Sequence, residues 1–328
     1  NAVVESPNGL PIREVTLLVN GIACQTFAPD SPVSTRMTIE HEIELDAATN
    51  EIELVARNAQ SRGFAGLTLE LPEARSDASP KTHLRVLSIG TAGGTTSEES
   101  NAMEDAEQFA ETISSQRDGR LYEAISLKIL TGEDATREAI LDGFEWLIEQ
   151  TEPSDTVAIY LSADAFVDAS DNFYIGAHDV DFDRPRATAL SWREFVHTLR
   201  NDLPSCKRLV FLDLRPNDQA IQPGLRNPLL DLAAPELGTI FFSSTALQQR
   251  LPSDDDGRPR FLTTALASIL KDQSVDVLPT PPDGLLTGEE ASSGWMQRVR
   301  KISDGKLYPV AFSPAASREV NVLQLNKP

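Results

Sequence analysis

The sequence predicts an α/β domain with a doubly wound, mostly parallel sheet over residues 83–328, a small all-β sandwich over residues 1–74, and a linker over 75–82. Three observations carry this. The runs TVAIYL (156–161) and KRLVFLD (207–213) are short, β-branched and apolar through the middle, as strands covered on both faces are. Helical patterns lie between such runs, leaving room for the crossovers that parallel strands require. Residues 12–71 instead alternate apolar and polar, with turn signals about every 10 residues, the pattern of an antiparallel sandwich.

In the first unit the strands are IREVTLLVNG, MTIEHEIEL, ATNEIELVARN and FAGLTLEL, punctuated by Asn20-Gly21, Pro29, Pro32 and Gly66. Val15, Leu17 and Val19 share one face, as do Ile52, Leu54 and Ala56, which predicts an Ig-like sandwich. It holds no cluster of His, Cys or acid suited to catalysis, so its expected role is packing against a neighbour.

The second unit opens on HLRVLSIGTAGG, a buried strand running into a turn. Gly90, Gly93 and Gly94 match neither GxGxxG nor GK[ST], so a plain turn is expected rather than a phosphate loop. Thr96 to Glu99 form a capping box that starts a helix with Met103, Ala106, Ala110 and Ile113 on its core side. After the strand AISLKIL, a helix over 136–150 carries Ile140, Phe144, Leu147 and Ile148. TVAIYL follows, then a helix begun by a capping box at Ser191 and Glu194 with Trp192, Phe195, Val196 and Leu199 inward. KRLVFLD and GTIFFSS are the next strands, and two helices near 260–271 and 288–301 flank LPTPPDG.

Composition excludes several function classes. The formal net charge is −21, with 50 acids against 29 bases, and phosphate backbones need clustered Lys and Arg, so no nucleic-acid partner is expected. No apolar run approaches the roughly 18 residues of a membrane span. Cys24 and Cys206 fall in different units without CxxC or CxH neighbours, so neither zinc nor a disulfide is expected, and the compartment is read as cytoplasmic. The start has no signal-like segment; it opens on Asn rather than Met, the expected sign of a processed or excised fragment.

In a doubly wound sheet, ligands meet the chain beyond the carboxyl ends of the strands. The residues there are Ser162-Ala163-Asp164-Ala165 after TVAIYL, and Leu214-Arg215-Pro216-Asn217-Asp218 after KRLVFLD. Other chemistry-bearing residues rank below these. His197 reads as half-buried structure beside an apolar stripe. His178 lies in AHDVDFD, where Asp179, Asp181 and Asp183 are weak candidates for calcium; the run lacks the glycine and terminal glutamate of an EF-hand, so no metal or cofactor is assigned. Cys206 precedes its strand and therefore sits opposite the crevice. Ser162, Ser243 and Ser244 stand near strand ends but lack a histidine relay. The polar segment LQQRLPSDDDGRPRF, with Arg250, Arg258 and Arg260, reads as an exposed tip that tolerates nicking.

Across residues 83–310 the ordered words HLRVLSIG, NAMEDAEQFAETI, LTGEDATREAILDGFEWLIEQTEPSDTVAIYLS, FYIGAHDVDFD, TALSWREFVHTL, RLVFLDLRPND, IFFSST with Gln248, RFLTTALASIL and DGLLTGEEASSGWMQRV resemble a bacterial caspase-like (caspase and metacaspase) peptidase domain. The resemblance implies a caspase-haemoglobinase-like fold. That family keeps its catalytic histidine in Ser-Gly-His-Gly after the third strand and its nucleophile in Asp-x-Cys after the fourth. Here the matching positions read Ser162-Ala163-Asp164-Ala165 and Asp213-Leu214-Arg215.

A cysteine peptidase needs a thiolate and a neighbouring imidazole. Arg215 stays protonated and is no nucleophile, and Asp164 offers only a carboxylate. The resemblance therefore implies a pseudopeptidase in which Asp164 and Arg215 bridge the old cleft as an ion pair; two separately solvated charges are the alternative. The implied role is to bind or regulate a protein, with an active caspase-like protease of a bacterial signalling or defence pathway as the partner in view. The alternatives are a residual or divergent hydrolase and an architectural domain. The leading sandwich resembles the Ig-like segment that follows a WD-repeat β-propeller in related bacterial proteins, which makes an upstream propeller a second expected partner. Some metacaspases bind calcium and many cut after basic residues, which would make the 250–260 segment a processing site for an active relative.

Overall fold

The structure, a computed structural model, describes residues 1–19, 22–43, 49–70, 82–91, 96–117, 120–152, 154–203, 207–216, 220, 227–233, 237–246, 261–277, 282–314 and 320–326. The amino-terminal part is antiparallel. Its strands are β1 (Ala2–Glu5), β2 (Ile12–Val19), β3 (Ile22–Phe27), β4 (Arg36–Ile39), β5 (Thr49–Asn58) and β6 (Arg62–Glu70). Four of them form a sheet in the order β3-β2-β5-β6, and β1 pairs with β4 as a second layer. Ile12, Val15 and Ile39 are buried together, with Val4, Phe27, Met37, Leu54 and Ala56 packed round them. The strand expected over MTIEHEIEL is seen only as far as Ile39, opposite Ala2 of β1, and residues 40–43 beyond it join no ladder.

The rest is α/β. In chain order come β7 (Thr82–Gly90), α1 (Thr96–Ser114), β8 (Tyr122–Thr131), α2 (Arg137–Gln150), β9 (Thr156–Val167), β10 (Phe173–Ile175), α3 (Pro185–Thr188), β11 (Leu190–Ser191) and α4 (Trp192–His197). They are followed by β12 (Lys207–Pro216), α5 (Leu229–Leu232), β13 (Thr239–Ser243), α6 (Phe261–Ile269), β14 (Leu285–Thr287), α7 (Gly288–Ile302), β15 (Val310–Phe312) and β16 (Asn321–Gln324). The main sheet runs β8-β7-β9-β12-β13-β15, parallel except for β15, and the short β10 and β11 extend the far end of β9 antiparallel. Thr82, expected in the linker, is the first residue of β7; the remainder of that segment lies outside the described residues.

Strand alternation sends successive side chains into two separate cores. Val157, Ile159, Leu161, Val210, Leu212 and Leu214 meet Ile140, Phe144 and Leu147 of α2 and Trp192 and Phe195 of α4. Ala158, Tyr160, Leu209, Phe211 and Phe242 meet Phe109 and Ile113 of α1, Leu262 and Leu266 of α6, and Trp295 of α7. Gly90 shows how closely α1 approaches: a Cβ placed there would lie 2.2 Å from the carbonyl oxygen of Ala102. It is thus the last strand residue beneath a helix; Gly93 and Gly94 lie outside the described residues.

Two expectations about local structure change. Ser191 caps α4 by accepting from the Glu194 backbone, but the Glu194 carboxylate accepts from the Ser191 hydroxyl at 3.3 Å rather than from its backbone N–H, and takes Arg137 Nη2 at 2.9 and 3.1 Å. A complete reciprocal box occurs instead at Thr287 and Glu290, at the start of α7; the side chains at 96–100 lie outside the described residues. Cys24, on β3, is disulfide-bonded, which overturns the reading of both cysteines as unpaired. Assigning them to different units kept them apart on paper, yet β3 lies against the π-helical turn Thr198–Asp202, which leads toward the chain's other cysteine, Cys206. Cys206 itself is outside the described residues. No helix among the described residues is long and apolar enough to cross a membrane.

Candidate functional site

Of the segments expected to follow strands β9 and β12, residues 162–165 and 214–216 are part of them. Pairing continues in parallel through Asp213 opposite Ser162, Leu214 opposite Ala163, Arg215 opposite Asp164 and Pro216 opposite Ala165. Their neighbours stop earlier: β7 ends with Gly90 opposite Ser162, and β13 ends with Ser243 opposite Leu212. Two central strands therefore overhang the sheet by a few residues, and the overhang carries the polar side chains. Ser162, Asp213 and Arg215 are buried although they are polar, so the apolar signal ended before the strands and their cover did.

The alternation that sorts the cores also sorts this ledge. Tyr160, Ser162 and Asp164 on β9 share a face with Phe211, Asp213 and Arg215 on β12, the face that α1, α6 and α7 cover lower down. Phe109 of α1 stacks on Tyr160 with ring centroids 4.6 Å apart, and Phe211 stacks on Phe242 at 4.6 Å. Aromatic packing thus floors the site.

At its top, Arg215 Nε lies 2.8 Å from Asp164 Oδ1, with 6% and 26% of the two side chains exposed. The approach at Nε is an ion-pair contact rather than an aligned hydrogen bond. Arg215 Nη2 also donates to the carbonyl oxygen of Thr91, just past β7, at 3.3 Å. The guanidinium therefore ties together the ends of three strands. Next to it, Asp213 is buried and accepts from Ser244 Oγ at 2.5 Å. Ser243 Oγ donates to Thr245 O at 2.7 Å, and Ser162 is also buried. Each of the three serines is turned into the protein, and the hydroxyls of Ser243 and Ser244 are committed to internal acceptors.

Beneath lies Tyr160, fully buried. Burial pushes its phenol well above the usual value of 10, and the carboxylates of Asp213 and Asp105 act in the same direction, while Ser162 and Arg215 oppose them. Tyr160 therefore stays a neutral phenol at working pH. Asp105, buried on α1, brings a second carboxylate to the underside of the ledge. The arrangement can hold charge in place; it presents neither a thiol nor an imidazole at the paired positions 164 and 215.

The remaining residues singled out from the sequence lie elsewhere. Asp179 Oδ1 accepts from the backbone of Arg137 at the start of α2, and Asp181 pairs with Arg184 at 2.8 Å while accepting from the Asp183 backbone. Among the described residues no three His, Cys, Asp or Glu converge as a metal set. His197 is exposed rather than half-buried, since it lies on the outer side of the short helix α4; its side chain is 64% exposed and contacts Asn201 and Asp202. The His178 backbone donates to Ala135 O at 2.9 Å. Asn217, Asp218, Gln248, Arg250, Arg258 and Arg260 lie outside the described residues. Sequence reasoning missed Tyr160, the Asp213–Ser244 bond and the Thr91 carbonyl. The first was legible, because Tyr160, Ser162 and Asp164 recur with period two.

No protein-family model matches the chain, and no curated protein matches it. Among solved structures, the crystal structure of protein GSU0716 from Geobacter sulfurreducens is similar: it shares 13% sequence identity and a TM-score of 0.50, over 75% of this chain and 100% of that one. The likeness is one of fold, an α/β mixed sheet of mostly parallel strands.

Proposed function

We propose that the protein is a catalytically inactive caspase-like domain, a pseudopeptidase that acts by binding or regulating another protein. The observation that carries this reading is the ion pair between Asp164 and Arg215, which occupies two directly opposed strand positions. On the resemblance described above, those are the positions of the imidazole and the thiol. A guanidinium that is almost fully buried and shares its charge with a carboxylate and a carbonyl is neither nucleophile nor proton acceptor. The serines nearby offer no substitute, because Ser244 is bonded to Asp213 without an imidazole relay.

The partner in view is an active caspase-like protease of a bacterial signalling or defence pathway, or the β-propeller expected upstream. A cytoplasmic location carries a condition: the disulfide at Cys24 must resist the reducing thiol pool, which most disulfides in that compartment do not.

Two measurements test the reading. Wild-type protein is expected to leave basic peptide substrates uncut with or without calcium; turnover that Asp164→Ala abolishes overturns it. An Asp164→His/Arg215→Cys variant is expected to take a covalent label from a basic peptidyl electrophile at residue 215, while the wild type takes none. Failure of the double variant to react, with its fold intact, would remove the geometric support for the two positions as a former dyad.

A further inference from the structure

Strand β6 is the most exposed strand among the described residues. Eight of its nine residues are exposed, Phe64 at 78% and Leu67 at 56%. Among the described residues it pairs on one side only, with β5, and that ladder runs without a bulge from Arg62 to Glu70. An edge of this kind is a template for another strand, and proteins blunt such edges with lysine, proline, bulges or short length. None of these devices occurs in RGFAGLTLE.

We propose that β6 is the seam of a homodimer, in which two copies pair β6 to β6 antiparallel about a two-fold axis at Gly66. What points to a second copy is the strand's own charge pattern. Its only charged residues are at its ends, positive at Arg62 and negative at Glu70. Reversed on itself about Gly66, the strand sets Arg62 opposite Glu70 of the partner subunit, and symmetry makes that pair twice. The same register sets Phe64 opposite Thr68 of the partner subunit and Ala65 opposite Leu67 of the partner subunit. Sliding by two residues forfeits both charge pairs, and sliding by one exchanges the faces.

The glycines agree. A Cβ at Gly63 would meet nothing within 4 Å, and one at Gly66 would sit 3.7 Å from Ile52 O, an ordinary contact. The protomer itself therefore does not require glycine at either place. At the two-fold, Gly66 leaves space on the face that carries both Phe64 rings. The pairing joins two four-stranded sheets into one continuous sheet and covers the exposed edge. It is independent of the proposed pseudopeptidase role.

Sedimentation velocity of the full chain across the micromolar range tests the seam. The wild type is expected to dimerise, and Leu67→Lys to be monomeric at the same concentrations. Arg62→Glu opposes two acids twice and is expected to weaken the dimer about tenfold, while Arg62→Glu/Glu70→Arg restores it to within about twofold. All of these side chains are exposed, so at concentrations low enough for the wild type to be monomeric the variants should unfold at its urea midpoint. Hydrogen exchange gives a readout that needs no variant: the amides of residues 62–70 should slow as wild-type concentration rises. A wild type that stays monomeric, a dimer that survives Leu67→Lys, or a charge swap that fails to rescue would each overturn the proposal. A monomer whose β6 is protected only by a different protein would do so as well.

Discussion

Removing Asp164 should cost the α/β domain stability in proportion to how deeply Arg215 is shielded. The guanidinium side chain is 6% exposed and the carboxylate 26%, so the pair lies between an exposed bridge, worth at most about 1 kcal/mol, and a fully buried one, whose disruption costs about 3–5 kcal/mol. Asp164→Ala is expected to cost about 2 kcal/mol, since Arg215 keeps the Thr91 carbonyl but loses its counter-charge. Arg215→Met should cost less, because Asp164 retains access to water. The double variant should fall short of the sum by about 1 kcal/mol, the coupling of the two charges. Trp146, Trp192 and Trp295 all lie in the α/β part, so tryptophan fluorescence in urea follows that part alone. With a slope of about 2–3 kcal/mol per molar, Asp164→Ala moves the midpoint down by roughly 0.7–1 M. The coupling should persist in concentrated salt, which weakens exposed pairs far more than shielded ones. Single and double variants that add to within about 0.5 kcal/mol would refute the argument.

The remaining predictions concern single contacts. Gly90→Ala forces a methyl to within 2.2 Å of the Ala102 carbonyl and should cost about 3 kcal/mol by the same urea assay; a loss under about 1 kcal/mol would show that α1 can back away. Ser244→Ala removes the donor to a buried carboxylate and should cost about 1.5–3 kcal/mol, whereas Ser243→Ala, which frees only a carbonyl, should cost less. Asp272 is held below 3.8 by the Ser274 hydroxyl and backbone N–H and by Arg298, against a smaller opposing effect of burial. Its folded pKa is depressed, so its contribution is present above the unfolded value and is lost as pH falls through the folded one. Ser274→Ala should raise the carboxyl titration of Asp272 toward 3.8, as followed by NMR; an unchanged titration would assign the shift to the Ser274 backbone N–H and Arg298.

Much of the architecture was legible because burial on both faces leaves a one-dimensional trace: β7, β8, β9, β12 and β13 all coincide with apolar runs, and α2 and α4 with apolar stripes. The ends of β9 and β12 were not, because they carry polar side chains that pair with one another, so the apolar run breaks where the strand continues. β1 and β3 were missed for a related reason. β1 spans four residues and its burial alternates, and in β3 Gln25 and Thr26 interrupt any apolar run of strand length. The pairing of Asp164 with Arg215 was anticipated from two charges at adjoining strand ends. The Asp213–Ser244 bond was not, since it depends on Ser244, the residue after β13, staying against β12 through its backbone bond to Leu212.

The approach of α1 to the sheet sets how that part of the molecule can move. Ser88 Oγ donates to the Ala106 carbonyl at 2.7 Å, and Gly90 abuts the carbonyl of Ala102 one turn earlier. Two successive teeth of the helix backbone thus engage two alternate notches of one strand, as a key engages its slot. Such a helix can tilt, but it cannot slide along its axis without lifting out of both. Freedom to rearrange is then left to the ends of β9 and β12 rather than to α1.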